Sequence, residues 1–61
     1  MTGQDRKRRI AILEDERDIL ELVALHMERA GFETMKHRTA GDLMSALQRL
    51  RPDLLILDLM L

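Results

Sequence analysis

Two short apolar runs constrain this chain more than any other feature. Ile10-Ala11-Ile12-Leu13 lies near the start and Leu54-Leu55-Ile56-Leu57 near the end. Each is followed at once by an acid, Glu14 in the first case and Asp58 in the second. Continuous apolarity, rather than alternation, suits a strand buried on both faces. Four residues are too few for a helix, so both runs are predicted strands.

Between the runs the period changes. Ile19, Val23 and Met27 recur at i, i+4 and i+8, and Leu20, Leu22 and Ala24 widen the stripe. This predicts an amphipathic helix from about Arg17 to Ala30. Acids in its first turn suit the helix dipole. Gly31 supplies a left-handed position just past its end, and Phe32 the apolar residue expected after it. Glu33 to Arg38 is of mixed polarity, which suits an edge strand. Thr39 through Asp42 has the form of a capping box. Leu43, Leu47 and Leu50, with Ala46 beside them, predict a second helix with a core face, and Pro52 blocks its continuation.

The order is therefore β-α-β-α-β. Strands alternating with helices argue for an α/β fold with a parallel sheet and right-handed crossovers. Ligands of such folds bind at the carboxyl ends of the strands, where the strand order reverses.

Composition removes several functions. The chain has 61 residues, one domain at most, and a formal net charge of −1. Binding of nucleic acid or membranes through bulk charge is not expected. With no Cys there is no disulfide framework, thiolate nucleophile or Cys-ligated zinc. With no Tyr, no Trp and one Phe there is no aromatic platform for bases. No apolar run approaches the roughly 20 residues of a membrane span. The basic start lacks the apolar core of a signal peptide, which makes the cytoplasm the expected location. Residues 1–7 read as a polar, basic, solvated tail and 8–61 as the domain.

The acids carry the chemistry. Glu14, Asp15 and Glu16 follow the first strand, and Asp58 ends the third. If those strands are neighbours, the carboxylates converge at one sheet edge and repel. A hard divalent cation relieves that repulsion, and oxygen ligands with retained waters are what Mg²⁺ prefers. A carboxylate such as Asp58 can then act as a nucleophile toward a phosphoryl group. The bland alternative is that acids at strand ends and helix starts merely face solvent.

Three motifs in order make a resemblance specific: RIAILEDE over Arg9–Glu16, Ala30-Gly31-Phe32, and PDLLILDLML over Pro52–Leu61. Over residues 8–61 the chain resembles the amino-terminal half of a bacterial two-component response-regulator receiver domain. Its wording is most similar to the subfamily joined to winged-helix DNA-binding domains. The resemblance implies a flavodoxin-like, doubly wound parallel sheet of strand order 2-1-3, truncated after strand three. It implies that Asp58 is the phosphoacceptor. It also implies that Glu14, Asp15, Asp58 and the backbone carbonyl of Met60 serve Mg²⁺, with Asp15 a direct ligand and Glu14 acting mainly through water. Glu16 would stand outside that set. The implied partner is a sensor histidine kinase. The implied role is that of a phosphoryl-accepting signalling domain rather than an enzyme, with DNA reached only through an effector domain.

The rest of the family's domain supplies a Ser/Thr and a Lys that have no counterpart here. Lys7 precedes strand one and Lys36 lies in the edge strand, so neither takes the catalytic role. Phosphotransfer by these residues alone is expected to be weak or absent. His26 and His37 have no metal-type partner at ligand spacing. An alternative of another class is an interaction fragment that self-associates as a homodimer through the strand-three edge. A dinucleotide-binding unit fits less well, because acids occupy the turn where a Gly-rich phosphate loop would lie.

Overall fold

A computed structural model of the chain describes residues 7–57. The expectations for the tail before Lys7, and for Asp58 and Met60, lie outside the described residues.

Five elements follow the predicted order: β1 (Arg9–Leu13), α1 (Arg17–Arg29), β2 (Glu33–His37), α2 (Ala40–Arg49) and β3 (Leu54–Leu57). The strands form one parallel sheet of order β2-β1-β3. The expected α/β class and strand order 2-1-3 are both present. β1 pairs on both edges, and alternate residues point to opposite faces. Ile10 and Ile12 pack with Leu20 and Ala24 of α1, joined by Val23, Met27, Phe32 and Ile56. Ala11 and Leu13 pack with Leu43 of α2, joined by Met35 and Leu47. The two helices therefore cover opposite faces of β1. Burying each isoleucine side chain of β1 contributes about 1.5–3 kcal/mol.

The helix ends follow local chemistry. Gly31 has φ 99°, the left-handed region that favours glycine. The Phe32 N–H donates to the Met27 carbonyl and the Gly31 N–H to that of Glu28, each at 3.0 Å. That pair of bonds is a Schellman termination, with Phe32 folded back on the core. At the start of α2 the Asp42 N–H donates to Thr39 Oγ1 at 3.1 Å. Only this half of the capping box forms, because the Asp42 carboxylate turns to His37 instead.

Three expectations about the core need correction. Leu20 and Ala24 centre the buried stripe of α1, while Ile19 and Leu22 are 45% and 54% exposed. Leu50 is not on the core face of α2. The helix ends at Arg49, and Leu50 is already extended as the chain approaches Pro52. The largest departure is β3, expected to be buried on both faces. Leu54, Leu55 and Leu57 are exposed and Ile56 is half-buried. Both helices pack over β1 and β2; among the described residues of β3 only Ile56 joins the core beneath α1.

Candidate functional site at the carboxyl edge of the sheet

The parallel register sets this edge. Leu13 pairs with His37 on one side and with Leu57 on the other. The residue after Leu13 is Glu14 and the residue after Leu57 is Asp58. From β1 the chain crosses to β2 on one side and later to β3 on the other. The strand order thus reverses beside β1, where such folds bind ligands.

Glu14 is buried, at 8% exposure, while Asp15 and Glu16 are exposed. The Glu14 N–H donates to the His37 carbonyl at 3.0 Å, extending the ladder one residue past β1. Glu14 Oε2 accepts from the Glu16 N–H at 2.9 Å, and the Glu16 carbonyl accepts from the Leu20 N–H at 2.9 Å. Glu16 is the N-cap residue of α1 but makes no side-chain cap bond. The buried acid therefore holds the backbone at the mouth of the helix, and the next acid faces outward.

Two side chains at the far end of β2 complete the edge; sequence reasoning sets His37 aside as lacking a metal-type partner and does not single out Arg38. Arg38 donates from Nε and Nη2 to the Asp15 carbonyl, each at 3.2 Å. His37 is buried, its Nδ1 lying 2.8 Å from Asp42 Oδ2. Its Nε2 is buried and has no hydrogen-bond partner among the described residues. With Asp42 as an acceptor, a neutral imidazole carries its proton on Nδ1 and leaves Nε2 bare. A short strand ending in His and Arg, followed by a Thr cap, was the available signal. It reads as an ordinary edge strand, because contacts to residues 23 positions away leave no trace in local spacing.

The donor chemistry at this edge suits a hard cation. Among the described residues it offers carboxylate oxygens, and the one histidine beside it is directed to Asp42. Among the described residues no group of three or more acids and histidines is placed to hold a metal. Glu14 and Asp15 provide two carboxylates, and Asp58 lies outside the described residues. Lys36, the lysine of β2, is taken by Glu21, with Nζ 3.1 Å from Oε1. A cleft of about 260 Å³ lined by Arg8, Ile10, Phe32, Asp53 and Leu54 sits at the opposite, amino end of the strands, away from these acids. No helix among the described residues is long and apolar enough to cross a membrane.

The chain is 33% identical over 55 residues to the DNA-binding response regulator MtrA of Mycolicibacterium smegmatis. The match covers 90% of this chain and 24% of that protein. No protein-family model matches the chain, and no solved structure matches it. Sequence similarity and strand order agree: the chain is similar to this response regulator over about a quarter of that protein's length, and its β-α-β-α-β sheet of order 2-1-3 is consistent with the amino-terminal half of a receiver domain.

Proposed function

We propose that the chain is the phosphoacceptor part of a two-component response regulator, with Asp58 as the acceptor. Glu14, Asp15, Asp58 and the Met60 carbonyl would hold Mg²⁺, which supplies charge neutralisation when bound. A sensor histidine kinase is the donor. The Asp58 carboxylate forms a P–O bond as the P–N bond to the donor imidazole breaks, and the reaction takes place in the cytoplasm. The observation that supports this reading is the register. Glu14 and Asp58 each follow a member of one paired set, Leu13 and Leu57. Confined to these residues, transfer is weak or absent. No lysine is placed to neutralise the phosphoryl group, since Lys7 precedes β1 and Lys36 is paired with Glu21.

The test is a two-dimensional amide NMR titration of the chain with Mg²⁺. Shifts confined to the neighbourhoods of Glu14, Asp15, Asp58 and Met60 are expected. Shifts elsewhere, or none, overturn the metal assignment. Labelling of Asp58 at the rate of a complete receiver would overturn the expectation of weak transfer.

A second reading has its own observation. Among the described residues β3 pairs only with β1, and three of its four leucine and isoleucine side chains are exposed. Two copies joined along β3 about a two-fold axis would bury that edge in a six-stranded sheet. Its test is mass in solution: a folded, strictly monomeric chain at high concentration eliminates it.

A further inference from the structure

We infer that Arg38 is a positioning residue for the acidic loop, holding the Asp15 peptide in place for cation binding; this rests on the reading of Glu14 and Asp15 as metal ligands. Glu14, Asp15 and Glu16 are consecutive carboxylates, and their mutual repulsion favours an open, mobile loop. The Glu14 and Glu16 peptides are restrained through the His37 carbonyl, the Glu14 side chain and the first turn of α1. Asp15 lies between them, and its carbonyl takes both donors of Arg38.

The arginine is itself well anchored. It follows His37, whose backbone is in register with Leu13 and whose ring is buried against Asp42. It precedes Thr39, which caps α2. Two elements thus fix the backbone from which the guanidinium reaches. A planar fork placing two N–H groups on one oxygen restricts the peptide more than a single donor would.

The choice of acceptor matters. A guanidinium paired with the Asp15 carboxylate would compete with a cation for the same oxygens. Arg38 bonds the carbonyl, and no hydrogen bond or ion pair among the described residues occupies the Asp15 carboxylate. The positive charge eases repulsion among the three acids, yet opposes an incoming dication. The proposal is that ordering outweighs that opposition at this exposed, screened position.

The experiment compares the unaltered chain with Arg38→Lys and Arg38→Met. Lysine keeps the charge and loses the fork, and methionine loses both. The loop is read without metal, from the Asp15 carbonyl carbon shift and from amide exchange at Asp15 to Arg17. Amides of Ile12 and Ala24 report the core. Expected is faster loop exchange in Arg38→Met, partial rescue in Arg38→Lys, and an unchanged core. Mg²⁺ affinity from the same spectra should fall about three- to tenfold in Arg38→Met, the worth of one or two exposed hydrogen bonds. Unchanged loop exchange, or tighter Mg²⁺ binding in Arg38→Met, overturns the inference. If the unaltered chain does not bind Mg²⁺, the metal reading fails on its own. The loop signature then decides whether Arg38 orders the loop.

Discussion

β1 and β3 are near copies in sequence and opposites in surroundings. Each is a run of four aliphatic residues closed by an acid, and the two are hydrogen-bonded neighbours in register. Yet Ala11 and Ile12 of β1 are 0% and 1% exposed, while Leu54 and Leu57 of β3 are 56% and 48% exposed. β1 has a strand on each edge and a helix on each face. Among the described residues β3 has one strand beside it, and only Ile56 reaches the core beneath α1. Apolarity in a strand states what the strand can bury. Only its neighbours decide what it does bury.

Truncation of matched residues should expose the difference most strongly. Ile12 and Ile56 are register partners, one buried in the sheet centre and the other half-buried. Ile12→Ala is expected to cost about 2–5 kcal/mol, the range for aliphatic core truncations. Ile56→Ala should cost well under half as much. Urea midpoints of the two variants give both values. In a domain this small the first loss leaves little folded population. Equal costs would mean that the two strands are buried alike, and the comparison would collapse.

That outcome bears on how much was legible in the sequence. The elements were, because each announces itself locally: an apolar run, a 3.6-residue period, a glycine past a helix, a Thr before one. Gly31 and Thr39 do what their residue types predict. Strand order was legible only through the family resemblance, since no local pattern specifies which strand lies in the middle. The burial of β3 was misjudged for the same reason. The composition of Leu54–Leu57 is correct for a central strand, and its exposure depends on elements elsewhere. Leu50 fell to a smaller error, the extension of a period past the end of α2, and Leu22 to a stripe drawn too wide around Leu20 and Ala24 of α1. Within the site, Glu14 and Asp15 were legible as acids after a strand. Arg38 was not, because a guanidinium reaching a carbonyl 23 residues away leaves no mark in either segment, and His37 was read only as lacking a metal-type partner, its bond to Asp42 being unforeseen.

With little core to hold it, β3 depends on its backbone and on one acid at its entrance. The Asp53 N–H donates to the Arg9 carbonyl at 2.7 Å, and Asp53 Oδ2 accepts from the Arg9 N–H at 2.8 Å. This reciprocal pair ties the start of β3 to the start of β1. Asp53→Ala should cost about 1 kcal/mol, as expected for an exposed charge-assisted hydrogen bond. The loss should be local, with faster amide exchange at Leu55 and Leu57 and little change at Ile10 and Ile12. Exchange that rises equally in both strands would show that they open as one unit, and the contrast in burial would then have no counterpart in local stability.

The smallest effect is expected where the side chain is most exposed. Leu54→Lys replaces a leucine that is 56% exposed, so little apolar contact is removed. A long aliphatic stem can lie across Ile10 and Phe32 while the ammonium reaches water beside Asp53. Stability should change by no more than about 0.5 kcal/mol, the usual range for surface substitutions. A loss above that would mean that Leu54 is covered in solution. Mass then separates the causes: a dimer that dissociates on Leu54→Lys identifies a second copy along β3. A loss without change of mass would place the cover within the chain itself, and β3 would be nearer to β1 in its surroundings than its exposure indicates.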